Sequence, residues 1–341
     1  MDEMRIVILG KTGVGKSSLA NTILGENVFR IGDTGNSETS ECRSETRRVD
    51  GRDVTLIDTP GLFDTGRPEE ELKAAIVKCI TECSPGPHAF LIVFKVERFT
   101  GQEQEVINKI HQYFSEEAFK YATVLFTHGD DLKEEQTIEE YFHNNQRVSD
   151  LMKKCGGRCH VVDNKYWKNN QLDDYRSNQF QVKQLMKTID HMIEANKGSC
   201  YTNEMLQAVE KLIQEEEEKI RQSSGNKTEE EIREEAKKSV FKILRINFAG
   251  IATGALLGAI FNGDVVVGVE TFFQEIILGK IVPALAESVV GGATEGAGKV
   301  AGSLMAVGAM IGRSFTGYDA AQEADTVSEA MDRAAKPVFK K

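Results

Sequence analysis

The chain has 341 residues, 40% of them hydrophobic and 28% charged, enough apolar material for one large domain or two ordinary ones; global disorder is excluded. Its formal net charge of −11 sets the surface as a whole against nucleic acid, and no nucleic-acid partner is expected. The opening "MDEMRIVILGKTG" has an apolar run too short for a signal peptide, so the six cysteines are expected to be reduced cytosolic thiols. Cys79/Cys83 and Cys155/Cys159 lack the C-x-x-C spacing of zinc ribbons and read as small buried hydrophobes.

From residue 4 to about 196, short apolar runs ("RIVILG", "DVTLIDTPG", "HAFLIVFKV", "YATVLFTHG", "CHVVDNK") alternate with helix-length amphipathic segments. That alternation predicts an α/β fold with a mostly parallel sheet flanked by helices. The organisation expected is a first domain over 1–200, a Glu-rich helical extension over 201–239, a Gly/Ala-rich apolar helical region over 240–317 and a polar tail over 318–341. In the extension, a helix is predicted from Asn203 to Gln222. "SSGN" interrupts it, and the Thr228/Glu231 capping box opens a second helix running to about Asn247.

Gly10-Lys11-Thr12-Gly13-Val14-Gly15-Lys16-Ser17 fits G-x-x-x-x-G-K-[ST] between a strand-like and a helix-like segment, and Ser18 follows it. In that context glycines let backbone N–H groups turn inward around phosphates, and the following helix amino terminus favours negative charge. Lys16 is the candidate for bridging the β- and γ-phosphates and Ser17 for ligating Mg²⁺. Forty residues on, "VTLIDTPGLFD" supplies Asp58 for the same Mg²⁺ and the amide of Gly61 for the γ-phosphate; loss of that phosphate would release the loop. The polar, aperiodic stretch 32–46 reads as a mobile loop carrying the threonine that completes the metal shell. Thr39 and Thr34 both fit on spacing.

Guanine presents two adjacent donors where adenine presents an acceptor and a bare C–H, so an ionised aspartate in the base plane selects guanine. "TVLFTHGDDL" (123–132) offers two candidates. Counting an Asn-Lys-x-Asp loop from His128 selects Asp131, and counting from Thr127 selects Asp130. Gly129 stands where Lys is usual, and His128 could stack on the base instead.

"GKTGVGKSSLANTILG", "DTPGLFDT", "SPGPHAFLIV", "ERFTGQEQ", "LFTHGDDL" and "CGGRCHVVDNK" together resemble the GTPases of immunity-associated proteins, whose G domain is of the plant avirulence-induced type. The resemblance covers residues 4 to about 200 and implies a P-loop GTPase fold followed by an all-helical extension, with GTP/GDP and Mg²⁺ as cofactors. It makes Asp131 the guanine ligand, by anchoring on Leu132. It adds Asn164 as a second base contact and favours Thr39, three residues before Cys42.

Leu62 follows Gly61 where Ras-like enzymes have the water-orienting Gln, so slow intrinsic hydrolysis is expected. Arg98 falls where some relatives carry an arginine acting across a G-domain dimer; the competing reading is a surface arginine paired with Glu97 or Glu103. The function expected is a GTP-binding switch with weak GTPase activity that forms a homodimer or homo-oligomer. A hydrolysis-poor scaffold whose C-terminal helices carry the function is the alternative. Residues 246–263 are uncharged, with Gly250, Gly254 and Gly258 in register. Two uses fit: membrane association through 240–317 on the cytosolic face of an organelle, or a soluble helical hairpin or self-association surface in the cytoplasm.

Overall fold

The computed structural model describes residues 3–31, 42–63, 68–167, 174–223, 225–248 and 253–262, with the side chains of 246, 247 and 255 left aside. The chain divides into two compact units, Met1–Thr202 and Asn203–Lys341.

In the first unit, β1 (Glu3–Gly10), α1 (Lys16–Leu24), β2 (Arg43–Val49), β3 (Arg52–Asp58), α2 (Glu69–Cys83), β4 (Ala89–Lys95) and α3 (Gly101–Tyr113) follow in order. They are succeeded by α4 (Glu116–Lys120), β5 (Ala122–Thr127), α5 (Ile138–Phe142), α6 (Gln146–Lys154), β6 (Cys159–Val161) and α7 (Asn178–Ala195). The six strands form one sheet in the order β2-β3-β1-β4-β5-β6. All pairings are parallel except β2 with β3. The central strands are continuous apolar runs because both sheet faces are covered. Ile6 and Ile8 join a core cluster with Leu19, Ile23, Leu185 and Ile189 of α1 and α7. Val7 and Leu9, on the opposite pleat, are equally buried. Since β1 has β3 on one side and β4 on the other, the winding reverses at its carboxyl end, the place where open α/β sheets bind ligands.

The expected loop over 32–46 is corrected at its end: β2 begins at Arg43, while 32–41 lie outside the described residues. "RSETRRV" escapes pattern reading because an edge strand has no buried face to enforce alternation. The local signal was Asp50-Gly51, both at positive φ (49° and 81°), the geometry of a two-residue hairpin turn.

The distinctive "SPGPHAFLIV" stretch is architectural. Arg5 Nε donates to Gly86 O at 2.9 Å and Arg5 N to His88 Nδ1 at 2.9 Å, joining the starts of β1 and β4. Burial, then the Arg5 charge, lowers the His88 pKa to about 4, so the ring stays a neutral acceptor. A Cβ on Gly86 would lie 1.8 Å from Tyr201 O, which admits only glycine.

The second unit contains α8 (Glu204–Ser223), α9 (Glu229–Asn247) and α10 (Thr253–Phe261) among its described residues. The capping box forms: Thr228 N donates to Glu231 Oε2 at 2.9 Å and Glu231 N to Thr228 Oγ1 at 3.2 Å. Arg233 joins α9 to α8 through Glu210 at 2.9 Å and Glu217 at 2.7 Å. Within the uncharged run 246–263, α9 ends at Asn247 and α10 spans Thr253–Phe261, while 249–252 and 263 lie outside the described residues. Among the described residues no helix is long and apolar enough to cross a membrane.

Candidate functional site

Strand β1 delivers the chain into the glycine loop with little room. A Cβ on Gly10 would stand 2.6 Å from the Val93 carbonyl oxygen of β4. Gly13 (φ 79°) and Gly15 (φ 87°) then take left-handed backbone that ordinary side chains resist. Gly15 is the N-cap of α1, whose first turn has neither a side-chain cap nor an acidic residue. An anion at that terminus meets amide donors and the positive end of the helix dipole. Lys16, buried, donates from Nζ to Lys11 O at 3.0 Å across the loop. Ser18, the third residue of α1, is half-buried and lines a cavity.

Opposite the loop, at the end of β3, Asp58 is 1% exposed, and Ser17 Oγ donates to its Oδ2 at 2.5 Å. Its other oxygen, Oδ1, is buried with no hydrogen-bond partner among the described residues. Burial pushes this carboxyl up, while the Lys16 charge and the Ser17 hydroxyl pull it down. A hydroxyl and an orphaned carboxylate oxygen side by side in a dry setting suit a hard divalent cation, held directly or through its water. Thr59 Oγ1 donates to Ile8 O at 2.6 Å and anchors the segment that follows. Gly61 and Leu62 are both buried there. Thr39 and Thr34 lie outside the described residues.

The base-reading candidates gather at the ends of β5 and β6. Thr127 Oγ1 donates to Val14 O at 2.7 Å, tying the end of β5 to the phosphate loop. His128 (φ 61°) is exposed and starts a 3₁₀ turn, Gly129–Asp131. Asn164 Oδ1 accepts from Thr22 Oγ1 at 3.1 Å, and its Nδ2 donates to Gly15 O at 3.4 Å. Asn164 therefore braces the glycine loop. Sequence reasoning missed Thr127 and Thr22 as struts, because each acts on a partner more than 100 positions away.

The two adjacent aspartates differ in engagement. Asp130 shares a hydrogen bond with Asp163, and that contact, followed by burial and the charges of Asp163 and Asp131, pushes its pKa up to about 6. Burial would raise Asp163 too, but the Asp130 carboxyl and the amides of Tyr166 and Lys165 (2.5 and 2.9 Å) hold it below the usual range. Among the described residues, no hydrogen bond or ion pair engages the exposed Asp131 carboxylate. Asp130 is raised relative to the unfolded chain, so its stabilising proton is fully present below about pH 4 and is lost as pH climbs through about 6. Asp130→Asn keeps a neutral donor beside Asp163. Its melting temperature is expected to match the wild type near pH 4.5 and exceed it by about 2–4 °C at pH 7.5. Parallel melting curves across that range would contradict the shared proton.

Arg98 is exposed on the loop between β4 and α3. The competing reading that pairs it with Glu97 or Glu103 is not found among the described residues. Glu103 instead accepts from Lys11 Nζ at 3.3 Å and completes the Thr100 capping box of α3.

A cavity of about 860 Å³ borders Ser18, Thr22, Asn164 and Trp167 and runs toward the turn of the β2–β3 hairpin. It does not reach Lys16, Ser17 or Asp58, so the phosphate position follows from the loop geometry and not from the cavity. Among the described residues no group of three His, Cys, Asp or Glu could hold a metal. Cys42, Cys79, Cys83 and Cys155 are free and buried.

A model of the AIG1 family matches residues 4–223. Immune-associated nucleotide-binding protein 10 of Arabidopsis thaliana is 32% identical over 239 residues, 67% of this chain and 50% of its own length. Immune-associated nucleotide-binding protein 9 of the same plant is 33% identical over 204 residues, 59% of this chain and 58% of its own length. GTPase IMAP family member 8 of Homo sapiens is 30% identical over 203 residues, 60% of this chain and 30% of its own length. The chain thus matches only half to three-fifths of the two plant relatives. Among solved structures, Toc33 from Arabidopsis thaliana in complex with GDP and Mg²⁺ aligns with TM-score 0.44 and 23% identity, over 56% of this chain and 84% of Toc33.

Proposed function

The chain belongs to the AIG1 family, and from that membership we propose that it is a guanine-nucleotide switch binding GTP and GDP with Mg²⁺, hydrolysing GTP slowly and assembling through its G domain. The observation that carries the reading is the half-buried Ser17 hydroxyl bonded to the buried Asp58 carboxylate with its orphaned Oδ1, beside a glycine loop and a helix amino terminus.

In this reading the amides of residues 13–17 cradle the phosphates, and Lys16 leaves Lys11 O to bridge the β- and γ-phosphates. Ser17 and Asp58 hold Mg²⁺, with Thr39 as the candidate third protein group. Held there, the ion would supply positive charge to the phosphate oxygens. The Gly61 amide senses the γ-phosphate, Asp131 accepts the two guanine donors, and Asn164 and His128 flank the base. The fit is tested by titrating nucleotide-stripped protein with a fluorescent GDP analogue. Tight binding is expected in Mg²⁺ and about 10-fold or weaker binding in EDTA or in Ser17→Ala, the size of one lost ligand to a divalent ion. Indifference to both changes would sink the assignment of this pair.

A second reading keeps binding and discards turnover, and Leu62 favours it: a buried apolar side chain cannot orient water. Nucleotide content separates the two, since purified protein that retains GTP is a scaffold and protein that carries GDP is a hydrolase.

A further inference from the structure

We propose that Trp167 is the positioning residue of the base-reading loop in this chain, occupying the space of the missing lysine and fixing where Asp131 meets guanine. The inference rests on the guanine-nucleotide reading above and deepens it.

The starting point is the glycine at 129. A Cβ built there would lie 2.5 Å from Cη2, 2.7 Å from Cζ2 and 2.9 Å from Cζ3 of Trp167. These are consecutive atoms on the far edge of the six-membered ring, so the indole abuts the glycine backbone itself. The ring cannot readily yield, being 5% exposed with Tyr175 edge-on to it at 6.4 Å. Any side chain at 129, a lysine stem included, competes with this ring for one space. The departure from Asn-Lys-x-Asp is therefore half of a paired change, glycine with tryptophan.

The pair reaches Asp131 from two directions. Trp167 supports the loop at Gly129, two residues before Asp131. The Arg176 guanidinium lies 5.3 Å from the ring centroid of Trp167, within cation–π range. Arg176 Nη1 also donates to Leu132 O at 3.1 Å and Lys133 O at 3.2 Å, immediately after Asp131. The chain around Asp131 is thus held by an indole before it and a guanidinium after it, and these two hold each other. Trp167 O accepts from Asn178 N at 3.2 Å, which fixes the tryptophan's own backbone at the start of α7. Asn164 is three residues upstream of Trp167, so the two sides of the base site are positioned through one segment. Without the ring, Gly129 is a glycine held by backbone bonds alone, its N donating to Val162 O at 3.0 Å and its O accepting from Leu132 N at 3.1 Å, in a loop that must present one carboxylate in one plane.

Trp167 is the chain's one tryptophan, so intrinsic fluorescence reports this position alone. The experiment uses the full chain with Mg²⁺ and two probes, GDP and inorganic pyrophosphate; the second has no base. In the wild type, GDP is expected to change the tryptophan emission and pyrophosphate to leave it unchanged. Trp167→Ala should weaken GDP binding by about 10–100-fold, the scale on which a slightly misplaced group acts, with pyrophosphate affinity held within about twofold. Trp167→Phe should recover most of the loss by keeping a ring edge against Gly129. Gly129→Lys alone should lose GDP, and Gly129→Lys with Trp167→Ala should bind it better than either single variant. GDP affinity unchanged in Trp167→Ala, equal losses for both probes, or a double variant no better than the singles would each overturn the proposal. A wild type that binds pyrophosphate but not GDP overturns the guanine reading itself, and this inference with it.

Discussion

Asp131→Asn is expected to weaken GDP binding by about 10⁴, while Asp130→Asn stays within about threefold of the wild type; competition against a fluorescent GDP analogue measures both. The size follows from pairing: guanine's N1–H and N2 amino group need two acceptors, and an asparagine amide turns one acceptor into a donor against a donor. The asymmetry follows from engagement. Asp130 is turned against Asp163, its N–H donating to Asp163 Oδ2 at 3.4 Å, whereas the Asp131 carboxylate meets no partner among the described residues. Xanthine carries a carbonyl where guanine carries the amino group, so XDP should gain affinity in Asp131→Asn as GDP loses it. The serious rival is the register counted from Thr127, because Thr127 holds Val14 O as a strut at the end of β5. If Asp130→Asn takes the loss and Asp131→Asn does not, that register is the true one.

Arg98→Ala is expected to abolish the dependence of specific GTPase rate on protein concentration and to lower the rate at high concentration by about 10³ or more. Leu62 is buried and apolar at the position that could order the attacking water, so fast hydrolysis needs a group supplied from elsewhere. Arg98 is suitably placed to be delivered to a second copy: exposed, unpaired among the described residues, and on a tether fixed at both ends. Val96 N donates to Thr127 O at 2.9 Å on one side, and the Thr100 capping box opens α3 on the other. Glu103, which could have neutralised it, is taken by Lys11 and Thr100. A wild-type rate independent of concentration would remove the trans arginine and leave the scaffold reading in possession.

The glycine loop, its flanking strand and helix, and the Asp58 strand were legible because each rests on local chemistry: fixed glycine spacing and continuous apolar runs buried on both faces. The capping box at Thr228 was readable for the same reason. β2 was not, since an edge strand paired on one side can be built from "RSETRRV" without alternation; only the Asp50-Gly51 turn announced it. The run 246–263 read as a single apolar segment, and neither the end of α9 at Asn247 nor the start of α10 at Thr253 has a charge or proline to mark it. Trp167 was beyond sequence reading altogether: Gly129 looked like a deficit, and its complement lies 38 positions later on another loop. Thr39 stays an expectation, outside the described residues.

Guanine selection is measured by calorimetric titration of the nucleotide-stripped 341-residue chain with GDP and with ADP in Mg²⁺. GDP is expected to bind at least about 10³–10⁴ tighter than ADP, because adenine leaves the Asp131 carboxylate facing a bare C–H and an acceptor. Equal affinity for the two nucleotides would contradict it.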